Sequence, residues 1–146
     1  MNGNARYVFD TNVLVSALIF ENSKPGRAFR YALQNGQILL SLTTLGEIDE
    51  VMRREKFERY VTAEEREEFL EALIGRARFV EIIEHIKICR DPKDDKFLEL
   101  AVNGGAYHII SGDDDLLALS PFRGIEILSV DDFLKRLEGG ESEEEK

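Results

Sequence analysis

Short apolar, β-prone runs alternate with helix-forming segments along almost the whole chain, and this alternation restricts the fold more than any other feature. The runs are Tyr7-Val8-Phe9, Ile38-Leu39-Leu40, Phe79-Val80-Glu81-Ile82-Ile83, Tyr107-His108-Ile109-Ile110 and Ile125-Glu126-Ile127-Leu128. Runs this short and this apolar suit strands buried on both faces, as in a parallel sheet. The crossovers between them are long enough to hold the helices that parallel strands need. The expected fold is therefore α/β, a three-layer α/β/α arrangement with a central parallel sheet of about five strands. At 146 residues the chain has the length of one domain, enough to bury roughly two-thirds of its unfolded surface. A single domain is expected over residues 1–138, followed by an acidic, disordered tail at 139–146.

Capping residues mark where the helices start. Asp10-Thr11-Asn12 precedes Val13 to Leu18, and Pro25 fits the first turn of a helix carrying Ala28, Phe29, Ala32 and Leu33 that ends near Asn35-Gly36. Thr43 or Thr44 is expected to cap a helix with Leu45, Ile48, Val51 and Met52, and Thr62 one with Phe69, Leu70, Leu73 and Ile74. Asp91 with Pro92 reads as a cap and first helical position ahead of Phe97, Leu98, Ala101 and Val102, and Asn103-Gly104-Gly105 as the stop. A short helix from Asp113 or Asp114 to Leu119 and a last one from Ser129 to Leu137 complete the pattern.

Composition excludes several classes. A formal charge of -10 argues against holding nucleic acid mainly by a positive field. That argument is softened by Glu141 to Lys146, four glutamates against one lysine, and by the power of a bound cation to reverse the local sign. No apolar run approaches the roughly 18 residues of a membrane span, and the start, Met1 to Arg6, lacks the regions of a signal peptide. The lone Cys89 rules out an internal disulfide and fits a reducing compartment, so a cytoplasmic protein without a membrane partner is expected.

Four groups of acids fall where strands end or helices begin: Asp10, Glu47, Asp94-Asp95 and Asp113-Asp114-Asp115. In a parallel sheet those positions share one edge, where ligands bind. Capping accounts for each group singly: Asp10 before a helix, Glu47 three residues after Thr44 as in a capping box, and Asp94 in the first turn after Asp91, which gives it a mostly structural role. Asp95, one residue further on, is less well explained by capping. Four such groups on one edge would repel one another, and the natural reason to assemble them is a hard divalent cation with oxygen ligands. The two histidines do not compete for the chemistry, since His108 alternates with apolar residues in a strand, His85 lies in a polar loop, and neither has cysteines at zinc-ligand spacing.

The order and spacing of Val8-Phe9-Asp10-Thr11-Asn12-Val13-Leu14-Val15-Ser16, Glu47, Asp95-Lys96-Phe97-Leu98-Glu99-Leu100-Ala101 and Ile110-Ser111-Gly112-Asp113-Asp114-Asp115-Leu116 resemble the PIN domain family of ribonucleases. Arg90 to Lys96 further resembles the branch that supplies the toxin of toxin–antitoxin systems (VapC-like). The likeness spans roughly residues 6 to 137. One departure is Ser111-Gly112, where many members carry threonine and then a larger polar or basic residue. The resemblance implies an endoribonuclease that hydrolyses RNA phosphodiester bonds with Mg²⁺ or Mn²⁺, leaving a 5′-phosphate and a 3′-hydroxyl. It implies catalytic roles for Asp10, Glu47, Asp95 and Asp113, and metal binding by Asp10, Asp95, Asp113 and Asp115. Asn12 and Ser111 would orient carboxylates or a phosphate. The implied partners are a single-stranded or structured RNA, an antitoxin protein, and a second copy in a homodimer through helices spanning 45–74.

Arg27, Arg30, Arg53, Arg54 and Lys56 are candidate phosphate contacts and Phe57 or Tyr60 a candidate base-stacking residue; the alternative is a set of solvated helix faces. Two other functions use the same fold class. Aspartyl phosphotransfer would use Asp10 as nucleophile, but haloacid-dehalogenase-like phosphatases place a second Asp where Asn12 stands, and receiver domains need a strand-end lysine that is not evident. A non-catalytic PIN-like binding module has no physical reason to hold mutually repelling carboxylates together.

Overall fold

The computed structural model describes residues 5–144, and the side chains of residues 5–139. The elements follow in the order β1 (Ala5–Phe9), α1 (Thr11–Ile19), α2 (Lys24–Asn35), β2 (Gly36–Leu40), α3 (Leu42–Met52), α4 (Ala63–Arg76), β3 (Arg78–Phe79), α5 (Asp95–Gly104), β4 (His108–Ile110), α6 (Asp114–Leu117), β5 (Glu126–Leu128) and α7 (Val130–Glu144). Short 3₁₀ turns occupy Glu55–Phe57 and Pro92–Asp94. All five strands pair in parallel in the order β3-β2-β1-β4-β5, as the alternation of elements predicts.

The period of two along each strand divides the core. Tyr7, Phe9, Ile38, Leu40 and Ile110 face one side, where α1, α2, α3, α4 and α7 pack through Leu14, Val15, Phe29, Ile48, Leu73 and Phe133. Val8, Leu39, Ile109 and Ile127 face the other, covered by Phe97, Leu98 and Ala101 of α5 and Leu116 of α6. Because both faces are covered, the strands carry apolar residues almost continuously. The chain runs from β1 to β2 on one side of the sheet and later returns to place β4 on the other side of β1. The crevice beyond the C-terminal ends of β1 and β4 is thus the topological switch point.

Three local expectations change. The helix after β2 is capped by Ser41, not Thr43 or Thr44: Ser41 and Thr44 form a reciprocal capping box, and Leu42 is the first helical residue. Glu47 therefore lies in the second turn and has no capping function. The run at 79–83 is a strand only over Arg78–Phe79; the last bond to the sheet is Val80 N–H to the Leu40 carbonyl at 2.8 Å. Beyond it the chain leaves the sheet and runs along α5. The final helix does start after the Ser129 cap, whose Oγ accepts the Asp132 amide at 3.0 Å, but it continues past Leu137 to Glu144. Disorder expected of the acidic tail falls in part on residues 145–146, outside the described residues.

The departing segment is fastened by one polar row of α5. Asp95, Glu99 and Asn103 lie four residues apart, so they stack on one face of the helix. Asp95 Oδ1 accepts the amides of Ile88 (3.1 Å) and Cys89 (2.8 Å), and Glu99 Oε2 accepts that of Ile86 (2.9 Å). Asn103 Oδ1 accepts the amides of Ile83 (3.0 Å) and Glu84 (2.9 Å), while its Nδ2 donates to the Glu84 carbonyl (2.8 Å). Side chains of a helix thus take the place of a neighbouring strand as partners for these backbone groups. Among the described residues no helix is long and apolar enough to cross a membrane.

Candidate active site

A cleft of about 420 Å³ opens at the switch point, lined in part by Asp10, Thr11, Asn12, Glu47, Arg54, Asp94, Phe97, Gly112 and Asp113. Its rear wall follows from strand register. Phe9 pairs with Ile110, and the Asp10 amide donates to the Ile110 carbonyl at 2.9 Å, so Asp10 and Ser111 emerge side by side.

Asp10 both caps α1 and faces the cleft. Its Oδ1 accepts the Val13 amide (2.8 Å), and its Oδ2 accepts the Ser111 hydroxyl (2.5 Å) and the Gly112 amide (3.1 Å). Burial pushes its carboxyl up, these three hydrogen bonds oppose the shift, and the charge of Asp113 adds to it; the carboxyl remains above its ordinary value. Ser111, fully buried, also accepts the Asp113 amide at 3.0 Å, and so ties the ends of β1 and β4 together.

Asp113 caps α6, its Oδ1 accepting the amides of Asp115 (2.8 Å) and Leu116 (3.4 Å). Asp94 stands opposite it at the end of the Pro92–Asp94 turn. Burial, then the charge of Asp113 and a side-chain hydrogen bond to it, push Asp94 up to about 6, with Lys96 opposing. Glu47 is held at both oxygens: the Thr11 hydroxyl donates to Oε1, and Lys96 Nζ lies 2.9 Å from Oε2.

Of the acids expected in the pocket, Asp10, Glu47 and Asp113 line it, and Asn12 lies on its wall. Asp95 and Asp115 do not line it. Asp95 is buried beneath the departing segment, bonded to Ile88 and Cys89 as described; burial pushes its carboxyl up, but the Cys89 amide and thiol, the Ile88 amide and the charge of Lys87 outweigh this and hold it below the ordinary range. Asp115 is exposed, and its backbone amide serves Asp113. Asp94, expected to be structural, is the acid that lines the cleft, from the 3₁₀ turn immediately before α5. Helical spacing carries a signal for this, because Asp94, Leu98 and Ala101 share the row that faces the sheet, whereas Asp95 shares its row with Glu99 and Asn103. His108 stacks on Tyr7 (5.8 Å between ring centres) and lies 3.5 Å from Glu126, and His85 is exposed beside Glu99; neither lines the cleft.

All the carboxylates suit a hard cation. Among the described residues no three acid, histidine or cysteine side chains converge as a ready-made metal cage. An open site of one or two carboxylates that leaves room for waters is, however, what Mg²⁺ favours. Asp94 and Asp113 repel one another, and Lys96 is engaged by Glu47.

A stability prediction follows from Asp94. Its folded value of about 6 lies above the ordinary value of 3.8, so its protonated form is favoured by folding. Its contribution to stability is therefore full below about pH 4 and is lost as pH rises to 6. Without metal, Asp94→Asn is expected to melt higher than the unsubstituted protein at pH 7, with the gap closing by pH 4. Thermal unfolding across that range checks it. Mn²⁺ at pH 7 should raise the melting temperature of the unsubstituted protein and leave the variant nearly unmoved, since ligand at 100 times Kd adds about 2.7 kcal/mol.

Comparison with known proteins agrees with this architecture. The chain is 33% identical over 118 residues to the uncharacterized protein MJ1680 of Methanocaldococcus jannaschii, covering 78% of this chain and 74% of that one. Among solved structures it is similar to PAE2754 from Pyrobaculum aerophilum, with a TM-score of 0.60 at 17% identity over 94% of this chain and 91% of that one. It is also similar to VapBC2 from Rickettsia felis bound to a DNA fragment from their promoter, with a TM-score of 0.58 at 13% identity over 85% and 98% of the two chains. DNA-bound VapBC from Salmonella typhimurium gives 0.56 at 15% identity over 86% and 98%. The PIN domain family model matches residues 6–115, from the start of β1 to the last acid of the Asp113–Asp115 run. Since that stretch contains every element whose residues line the cleft, the chain belongs to the PIN domain family.

Proposed function

We propose that the protein is a divalent-metal-dependent endoribonuclease and the toxin of a toxin–antitoxin pair. The observation that carries the reading is that Asp10, Asp94 and Asp113, from three separate parts of the chain, line one cleft at the switch point of the sheet. In this reading Asp94 and Asp113 hold Mg²⁺ or Mn²⁺ with help from Asp10, while Asp95 supports α5 and Asp115 completes the α6 cap. A bound ion supplies Lewis acidity toward the scissile phosphate and lowers the pKa of a water molecule. Asp10, fixed by three donors, keeps its oxygens in place without reorganising. Asn12 offers an amide to a phosphate oxygen, and Arg54, on the cleft wall, offers a guanidinium whose fork matches phosphate. Arg59 and Tyr60 stand near one another beyond it, with Tyr60 edge-on to Phe20 at 5.0 Å, a surface on which an unpaired base can stack. No side-chain nucleophile is required, and the products are a 5′-phosphate and a 3′-hydroxyl.

The toxin reading draws support from the likeness in fold to proteins described as VapBC complexes. An antitoxin segment that covers the acidic cleft would restrain the enzyme in the cytoplasm. A homodimer is proposed through α3 and α4, where Leu42, 81% exposed, lines one groove with Leu45, Leu70 and Ile74. Leu42→Glu is expected to shift sedimentation equilibrium toward the monomer with little change in unfolding temperature.

The deciding experiment is cleavage of end-labelled RNA by the purified protein with Mg²⁺ or Mn²⁺, with EDTA and Asp10→Asn as controls. Cleavage that needs the metal and disappears in Asp10→Asn supports the reading. A folded protein that binds neither metal nor RNA overturns it.

A further inference from the structure

We infer that Lys96 takes the place of a second divalent cation in the cleft, so that the protein binds a single metal ion on its aspartate side while an ammonium serves Glu47. The inference rests on the metal-dependent reading above and deepens it. Two-metal sites place their ions roughly 3.5–4 Å apart, each balanced by carboxylates. In this cleft the carboxylates divide into two unlike halves. Asp94 and Asp113 line the cleft together and, among the described residues, neither is in an ion pair, whereas Glu47 is paired directly with Lys96.

The pairing has the features of a built cation site. Lys96 Nζ lies 2.9 Å from Glu47 Oε2 and donates to the Lys93 carbonyl at 2.5 Å, and it sits 5.4 Å from the centre of the Phe97 ring. A carboxylate, a carbonyl and the face of an aromatic ring are all ligands for positive charge. The Lys96 side chain is only 15% exposed and that of Glu47 25%, so the pair is shielded from the screening that makes surface ion pairs weak. The Thr11 hydroxyl donates to the other oxygen of Glu47, so both oxygens of the carboxylate are engaged. The backbone supports this arrangement. Lys96 lies in the first turn of α5, two residues after Asp94, so one short stretch supplies both an acid for the open half and the counter-charge for the closed half. A second divalent ion at Glu47 would have to displace a cation tethered to the same chain and already in contact with that carboxylate.

The test is a count of bound metal. Mn²⁺ is titrated into the full-length protein, free ion is followed by electron paramagnetic resonance, and bound ion is measured by elemental analysis after equilibrium dialysis. The unsubstituted protein is expected to bind about one Mn²⁺ per chain, Lys96→Met about two, and the double variant Lys96→Met/Glu47→Gln about one again. Lys96→Arg, which keeps the charge, should stay at one. Circular dichroism and unfolding temperature confirm that each variant is folded. Two ions bound by the unsubstituted protein, or one by a folded Lys96→Met, overturn the role of Lys96 while the metal-dependent reading stands. If Lys96→Met does not fold, Lys96→Gln replaces it, and the stoichiometry of the unsubstituted protein already tests the claim. Absence of binding in every variant overturns the metal-dependent reading itself.

Discussion

Asp94→Asn is expected to lower metal-dependent RNA cleavage by on the order of 10²–10³-fold, the scale seen when one preorganised charge-stabilising group is removed from an active site. Asp95→Asn is expected to leave cleavage within about threefold of the unsubstituted enzyme, because an asparagine Oδ1 can still accept the Ile88 and Cys89 amides. The neighbouring acids are distinguished by two further substitutions. Asp95→Ala leaves both amides without their acceptor and should cost about 1–3 kcal/mol, or roughly 2–4 °C of melting temperature per kcal/mol, while Asp94→Ala in the metal-free protein should cost no stability at pH 7. Single-turnover cleavage and differential scanning calorimetry on the four variants and the unsubstituted protein give the answer. Equal loss of activity in both asparagine variants would mean that Asp94 and Asp95 are not placed relative to the cleft as described.

Leu98→Ala should have the largest effect on stability. Leu98 is wholly buried in the core between the sheet and α5, and truncation there costs about 2–5 kcal/mol, depending on how far the cavity collapses. The melting temperature should fall by roughly 4–20 °C. Ile83→Ala, at a residue 77% exposed, provides the contrast and should stay within about 0.5 kcal/mol. Leu98 shares its helical row with Asp94, and the defect should therefore also reach the site. Weaker Mn²⁺ binding in Leu98→Ala at a temperature where it remains folded would register the link.

Much of this architecture can be read from the residues because burial on both faces leaves a strong mark. Val8, Leu39 and Ile109 each lie in an apolar run followed by a cap, and four of the five strands fall where those runs predict. The run at 79–83 misleads for a physical reason. Ile82 and Ile83 have the composition of a strand, yet whether a backbone joins a sheet depends on the partners offered to its amides; here the partner of Ile83 is Asn103, 20 residues on, and that of Ile86, just beyond the run, is Glu99, 13 residues on. Nothing within the run itself records that competition.

The site shows the same division. Asp10, Glu47 and Asp113 follow from the rule that strand ends and helix starts share an edge. The choice between Asp94 and Asp95 turns on rotation about a helix axis, and the 3₁₀ turn at Pro92–Asp94 precedes α5. Proline at that position is equally compatible with an α-helical first turn, which is the expectation the residues raised. Lys96 was legible as a charge but not as a partner, since Glu47 is 49 positions away.

The side chains that fasten the segment after β3 have a consequence for amide exchange. Ile83, Glu84, Ile86, Ile88 and Cys89 belong to no strand or helix, yet each donates its amide proton to a carboxylate or carboxamide of α5. In deuterated solvent these protons should linger as if the stretch were ladder-paired, and a protection map alone would credit the molecule with a longer third strand. The two cases separate on substitution: Asn103→Ala should release the first two amides together, which no ladder within a sheet would do.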